Sequence, residues 1–178
     1  MERGLWRSGI IAALVTVTGL VGCGATGSAA PASAPAAPDP ANATYLIERN
    51  TVTLANGRAE HPAAPGSATT VVTTLGTERA AADLDGDGRP DTVVVLTYQP
   101  GGTGEFSYIA ALLNGAAGVT PTPAILLGDR VTVTGLRTEG RVVVVETLER
   151  AAGDPLTATP TVPMTRTFVV DRGALVAK

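Results

Sequence analysis

The chain has little of what most catalytic and disulfide-bonded proteins use, since its 178 residues include one Cys and one His. A single Cys excludes a disulfide within the chain. A single His, His61, leaves too few nitrogen and sulfur ligands for a zinc site. Neither Ser67 nor Ser107 lies in a G-x-S-x-G elbow, so a catalytic triad with His61 is not indicated. We therefore expect no enzyme, and an envelope hydrolase of unknown substrate is the alternative.

Basic residues are also few. Lys and Arg number 13 against 16 Asp and Glu, which gives a net charge of −3. The basic residues are scattered, without the stripe or cluster that binds phosphate backbones. The composition therefore predicts no nucleic-acid partner.

No apolar run is long enough for a membrane-spanning helix, which needs about 20 residues. The longest stretch, residues 10–21, follows Arg3 and Arg7 and is followed by small residues. A positive start, a short apolar centre and small residues are typical of an export signal. The sequence therefore predicts a signal peptide over residues 1–22.

The end of this segment, Leu20-Val21-Gly22-Cys23, resembles a bacterial lipobox. The resemblance implies cleavage before Cys23, which then carries the lipid, and an envelope protein held on a membrane by that lipid. Gly24 follows instead of Asp, which in a two-membrane bacterium implies the outer membrane. In a one-membrane bacterium the anchor would lie on the outer face of the plasma membrane. The alternative is an ordinary secreted protein with Cys23 as an unused thiol.

The residues after Cys23 are mostly Ala, Pro, Ser and Gly and show no apolar periodicity. Such a segment cannot bury a core. We expect residues 23–43 to be the lipidated Cys and a disordered tether, with a reach of up to roughly 60 Å. Residues 44–178 have the length of one domain.

Short β-branched runs separated by turn residues fill most of residues 44–178, and no long amphipathic helix is evident. Residues 93–96 and 142–145 are apolar without alternation, which predicts central strands covered on both faces. Residues 78–82 are expected to pair with 92–98. Asn56-Gly57 predicts a hairpin between residues 51–54 and 58–61. The predicted fold is all-β, a single antiparallel β-sandwich or rolled sheet.

One acidic loop stands out at residues 83–91. Carboxylates at loop positions 1, 3, 5 and 9 with a Gly at position 6 suit a hard cation, because alternate side chains of a tight loop point inward. The predicted ligands are the side chains of Asp83, Asp85, Asp87 and Asp91 and the backbone carbonyl of Arg89. The loop offers oxygen only, so calcium is the expected ion.

An EF-hand also needs a Glu at position 12, where this chain has Val94, so the loop is not an EF-hand. The stretch AADLDGDGRPDTVVVL resembles the calcium loops of integrin-like FG-GAP and VCBS repeats, which implies a loop between two strands. A propeller needs at least four such blades and this chain has one motif. The wider chain resembles small bacterial envelope lipoproteins with a single such loop, and no activity comes with that resemblance.

Two further possibilities remain open from the sequence. The Asp-Gly pairs of the loop would also build a tight turn without an ion. The proline-containing segment 149–164 is long for a compact domain, which predicts a surface for a protein or glycan partner. The alternatives are a flap over the open end of the sheet and a structural lipoprotein without a ligand.

Overall fold

Antiparallel strands form nearly all of the regular structure in residues 36–178, which are the residues described by the computed structural model. The predicted signal peptide, Cys23 and most of the predicted tether lie outside them. Within the described residues no helix is long and apolar enough to span a bilayer. The strands are β1 (Thr44–Ile47), β2 (Asn50–Thr53), β3 (Arg58–Pro62), β4 (Thr70–Ala82), β5 (Asp91–Gln99), β6 (Phe106–Gly115), β7 (Gly118–Pro121), β8 (Ile125–Asp129), β9 (Thr132–Glu139), β10 (Val142–Glu149), β11 (Val162–Asp171) and β12 (Ala174–Ala177).

These strands form three sheets, and every pairing between them is antiparallel. The largest sheet has the order β3-β4-β5-β6-β7, with β8 pairing with β6 beside β7. A second sheet has the order β12-β11-β10-β9, and β1 and β2 form a separate hairpin. The prediction of an all-β antiparallel fold is therefore confirmed.

The six-stranded sheet lies between the other two sheets, with an apolar core on each of its faces. One core joins Val93 and Ile109 of that sheet to Val143 and Phe168 of the four-stranded sheet. The other core joins its opposite face to the β1-β2 hairpin and includes Val94 and Leu96. Strand β5 is therefore covered on both faces, which explains why residues 93–96 do not alternate.

The pairing at the start of the domain differs from the prediction. Strand β2 pairs with β1, and β3 pairs along its whole length with β4. Only the bridge between Ala55 and Arg58 remains of the expected ribbon around Asn56-Gly57. The predicted hairpin between residues 51–54 and 58–61 is therefore wrong. The reason is that both strands have other partners, since all four residues of β2 pair with β1 and all five residues of β3 pair with β4.

The predicted pairing across the acidic loop is confirmed for residues 79–82, which pair with 91–94, while residues 96–98 pair with 73–75 beyond an irregularity in β4. Arg79 pairs with Val94, and the ladder runs down to Ala82 opposite Asp91. The folded region also begins before the predicted boundary at Thr44. Residues 36–43 lie on the sandwich, where Pro40 is buried and accepts a hydrogen bond at its carbonyl from the Tyr45 hydroxyl at 2.8 Å.

Candidate metal centre

The 83–91 loop connects β4 to β5 at one end of the six-stranded sheet. Gly88 has a φ of +84°, a conformation that costs other residues about 1–2 kcal/mol. Leu84 turns inward and is 1% exposed in the core between the two larger sheets. The loop is therefore held to the fold by an apolar side chain as well as by its two strands.

The loop brings together three of the predicted ligands. Carboxylate oxygens of Asp83, Asp85 and Asp91 all lie within 4.8 Å of one another. Among the described residues, Asp87 is not part of this group. The backbone N–H of Arg89 donates to Asp87 Oδ1 at 2.9 Å, and metal binding through the Arg89 carbonyl stays a prediction.

Backbone amides of the loop donate to the same carboxylates. The N–H of Gly86 donates to Asp83 Oδ1 at 2.7 Å, and that of Gly88 donates to Asp83 Oδ2 at 3.0 Å. The N–H of Asp87 donates to Asp85 Oδ1 at 3.1 Å. These bonds fix the carboxylates facing into the loop. A carboxylate oxygen that accepts one hydrogen bond keeps a second lone pair for a cation.

Asp91 is the most constrained of these acids, since it is 0% exposed. Its Oδ2 accepts the N–H of Leu84 and its Oδ1 accepts the N–H of Asn114, both at 2.8 Å. Burial raises the pKa of the Asp91 carboxyl, the two amides act in the opposite direction, and the nearby Asp85 charge raises the pKa further. A bound cation would favour the ionised form and so offset the cost of that burial.

An arginine from the other sheet completes the surroundings of the loop. Arg141 lies in the two-residue turn between β9 and β10, and its Nε donates to the carbonyl of Leu84 at 2.9 Å. Its Nη2 donates to the carbonyl of Asp85 at 2.6 Å. Both guanidinium hydrogen bonds go to backbone carbonyls, so they do not occupy the carboxylate lone pairs that a cation would use. Sequence reasoning missed Arg141, because nothing local links residues that lie 57 positions apart.

The arrangement has the donor set of a site for a hard divalent ion. Three carboxylates converge on one point, and the group contains neither sulfur nor imidazole ligands. Calcium tolerates irregular oxygen coordination, whereas magnesium requires an octahedron and zinc favours nitrogen or sulfur. The residues present therefore suit a hard divalent ion bound through oxygen and do not suit zinc.

The residues considered for catalysis lie apart from this loop. His61 is exposed on β3, where its register partner is Val71 of β4, and Ser107 is buried on β6. Ser67 lies in the connection between β3 and β4. Within residues 36–178 no hydrogen bond joins His61 to either serine.

The long connection predicted at residues 149–164 is shorter in the structure. It covers residues 150–161, here called the 150–161 loop, because Met164 lies within β11. Leu156 is 61% exposed. Together with Thr103 and Arg130, residues 156–160 line an open cleft of about 680 Å³.

No family model, curated protein or solved structure matches the chain. Its class is therefore defined by its own fold and site. It is an antiparallel β-sandwich domain with a convergent aspartate loop at one end of its central sheet.

Proposed function

We propose that this chain is a lipid-anchored protein of the bacterial cell envelope whose β-domain binds calcium as a structural ion. The observation that carries the metal proposal is the approach of the Asp83, Asp85 and Asp91 carboxylates to within 4.8 Å, with Asp91 fully buried. Like charges at such distances repel one another, and a divalent cation removes that repulsion. The lipid anchor at Cys23 and the envelope location rest on the lipobox-like sequence alone.

Calcium has a structural task in this proposal. The loop joins two strands of the central sheet, contributes Leu84 to the core and receives Arg141 from the other sheet. An ion bound here therefore stabilises a point where both larger sheets meet. The affinity expected without a Glu at position 12 is weak, on the order of 0.1–1 mM, which suits a calcium-rich exterior.

Calcium titration of the folded domain tests the metal proposal. At a free concentration ten times the Kd, the ion should raise the free energy of unfolding by about 1.4 kcal/mol. For a domain of this size, that corresponds to a Tm increase of roughly 3–6 °C. Calorimetric titration and thermal unfolding in calcium and in EDTA measure both quantities, with magnesium as the matched ion.

A metal-free loop is the second candidate, because the Asp side chains already accept backbone N–H groups, as in an ordinary turn. Asp85→Asn separates the two. Its Oδ1 still accepts the N–H of Asp87, so a plain turn should be nearly unaffected, whereas calcium binding should weaken at least tenfold. Asp154→Asn, in the exposed 150–161 loop, is the control. An unchanged Tm in calcium for the original chain would reject the structural ion.

The anchor has its own test. Expression of the whole chain in a bacterial host, followed by membrane fractionation, should place the protein with the membranes in a detergent-soluble form. Cys23→Ser should move it to the soluble or secreted fraction, and Ser33→Ala serves as a control in the same region. Mass spectrometry of the mature N-terminus measures the lipid directly. A soluble original chain with an unmodified Cys23 would reject the anchor.

The partner surface proposed for this envelope protein is the 150–161 loop. Its support is the exposed Leu156 above the cleft that Thr103 and Arg130 also line. The partner would be a protein or glycan at the envelope.

An envelope hydrolase is the alternative function, from another class of protein. Ester, peptide and glycoside substrates, assayed with the original chain and with His61→Ala, distinguish binding from hydrolysis.

A further inference from the structure

Residues 36–43, here called the strap, form the last part of the predicted tether and are attached to the sandwich mainly by hydrogen bonds. In every one of the bonds that reach the sandwich, the strap supplies the acceptor. Three donors are side chains: Asn114 Nδ2 to the Ala36 carbonyl at 2.9 Å, Thr92 Oγ1 to the Pro38 carbonyl at 3.1 Å and Tyr45 Oη to the Pro40 carbonyl at 2.8 Å.

The other three donors are backbone N–H groups of the segment between β2 and β3. They are Gly57 N–H to the Ala41 carbonyl at 2.7 Å, Asn56 N–H to Asn42 Oδ1 at 3.0 Å and Leu54 N–H to the Ala43 carbonyl at 2.9 Å. Each of these amides loses its partner if the strap departs. They are therefore direct reporters of whether the strap is docked.

The strap brings little apolar surface to the fold. Pro40 is its only buried residue, and its only residue packed against either core is Ala43, which is partly buried. Segments with few buried apolar contacts open at lower free energy than core strands do. The attachment is therefore weak compared with that of the strands beneath it.

We propose that the strap detaches from the sandwich as a unit while the sheets stay folded, and that its docking sets the free length of the tether. The tether consequence rests on the proposed anchor at Cys23. With the strap docked, 12 residues separate Cys23 from the domain, and with the strap released 20 residues do. The eight strap residues, at about 3.1 Å each when extended, therefore add up to roughly 25 Å to the reach from the anchor.

One residue, Asn114, is hydrogen-bonded both to the strap and to the 83–91 loop. Asn114 donates its side-chain amide to the Ala36 carbonyl and its backbone N–H to Asp91. Thr92, which holds the Pro38 carbonyl, directly follows Asp91 in β5. The Asn114 and Thr92 side chains, which donate to the first half of the strap, therefore both lie next to Asp91 at the start of β5.

Hydrogen exchange followed by NMR, on residues 24–178 in EDTA, tests strap release. This part of the chain contains the compact unit of residues 34–178 with both cores. The Leu54, Asn56 and Gly57 amides should exchange at least tenfold faster than the hydrogen-bonded amides of the β5-β6 pair. Tyr45→Phe and Thr92→Val each remove one hydroxyl donor, and each should accelerate exchange of the Gly57 amide roughly fivefold.

Thr167→Val is the matched control, because the Thr167 hydroxyl also donates to a backbone carbonyl, that of Lys178, at 3.1 Å but on the far sheet. It should leave the Gly57 exchange rate unchanged. Equal rates for the Gly57 and β5-β6 amides would overturn the proposal, since the strap would then open only on global unfolding. An acceleration of both sets by the same factor in Tyr45→Phe and Thr92→Val would also overturn it. Because the measurement is made without calcium or lipid, its result is independent of both parts of the proposed function.

Discussion

The 83–91 loop and the 150–161 loop both connect neighbouring antiparallel strands, yet they differ in what they bury. The first places Leu84 and Asp91 in the interior at 1% and 0% exposure. The second has no buried residue, and its Leu156 is 61% exposed. The acid-rich loop is therefore the one attached to the core, while the loop with more apolar residues lies in solvent. Attachment depends on the side chains that a loop buries, and composition alone does not reveal it.

Substituting the leucine of each loop should give the largest difference in the free energy of unfolding between the two loops. Leu84→Ala leaves a cavity in the core between the sheets and should lower the free energy of unfolding by about 2–5 kcal/mol. Leu156→Ala removes exposed surface and should change it by less than about 0.5 kcal/mol. Urea denaturation of both variants measures the difference. Equal losses would mean that the 150–161 loop is also packed against the domain in solution.

A buried aspartate of the 83–91 loop and an exposed aspartate of the 150–161 loop, each accepting backbone N–H groups, give the second comparison. Asp91→Ala leaves the buried N–H groups of Leu84 and Asn114 without acceptors and should cost about 1–3 kcal/mol in EDTA. Asp154 accepts the N–H of Ala151 at an exposed position, where water can replace it, so Asp154→Ala should cost less than about 0.5 kcal/mol. Thermal unfolding of both variants in EDTA checks this order. A neutral Asp91→Ala would show that relief of its buried charge outweighs the two lost bonds.

A pair of glycines gives the smallest and most closely matched comparison. Gly88 has a φ of +84° and Gly153 of +90°, and an added Cβ would meet no atom within 4 Å at either position. Gly88→Ala should cost about 1 kcal/mol, because the hydrogen-bonded 83–91 loop must keep its conformation. Gly153→Ala should cost less than about 0.5 kcal/mol, because its loop can relax. Urea denaturation compares the two, and equal costs would contradict a difference in rigidity.

Much of the fold could be predicted because the β-branched runs carry strong local signals. The apolar runs 93–96 and 142–145 predict central strands covered on both faces; both lie inside their sheets, but only the first has an apolar core on each face, so the prediction of two covered faces is wrong for 142–145. Val144 also shows the limit of this reasoning, since it is buried next to Arg137 and Thr167 on the ladder without belonging to either apolar core. Burial of an apolar residue does not by itself identify a second packed layer.

The hairpin at the start of the domain could not be predicted from turn residues. The β1-β2 turn passes through Glu48 and Arg49, both with positive φ, which no turn preference indicates for these residue types. Asn56-Gly57 carries the strongest local signal but connects strands that belong to different sheets. A local signal identifies a turn, whereas β2 and β3 find their pairing partners on either side of that turn, in β1 and β4.

The candidate site could be predicted only in part, because some of its contacts are local in sequence and others are not. Asp83, Asp85 and Asp91 converge as their spacing suggests, because positions in one tight loop are close in sequence and in space. The contacts of Arg141 and Asn114 with the loop join residues 23 to 57 positions apart. Such contacts arise from the packing of the sheets and leave no local pattern.

Each of the two larger sheets is built from its own uninterrupted length of chain, residues 58–129 for one and 132–177 for the other. The polypeptide therefore passes between these two larger sheets at a single place, next to Arg130. Cleavage there would give two complementary fragments, each with one apolar face of the shared core exposed. Reassociation of such fragments would have to restore the Arg141 contact with Leu84, which makes that contact a marker of correct assembly.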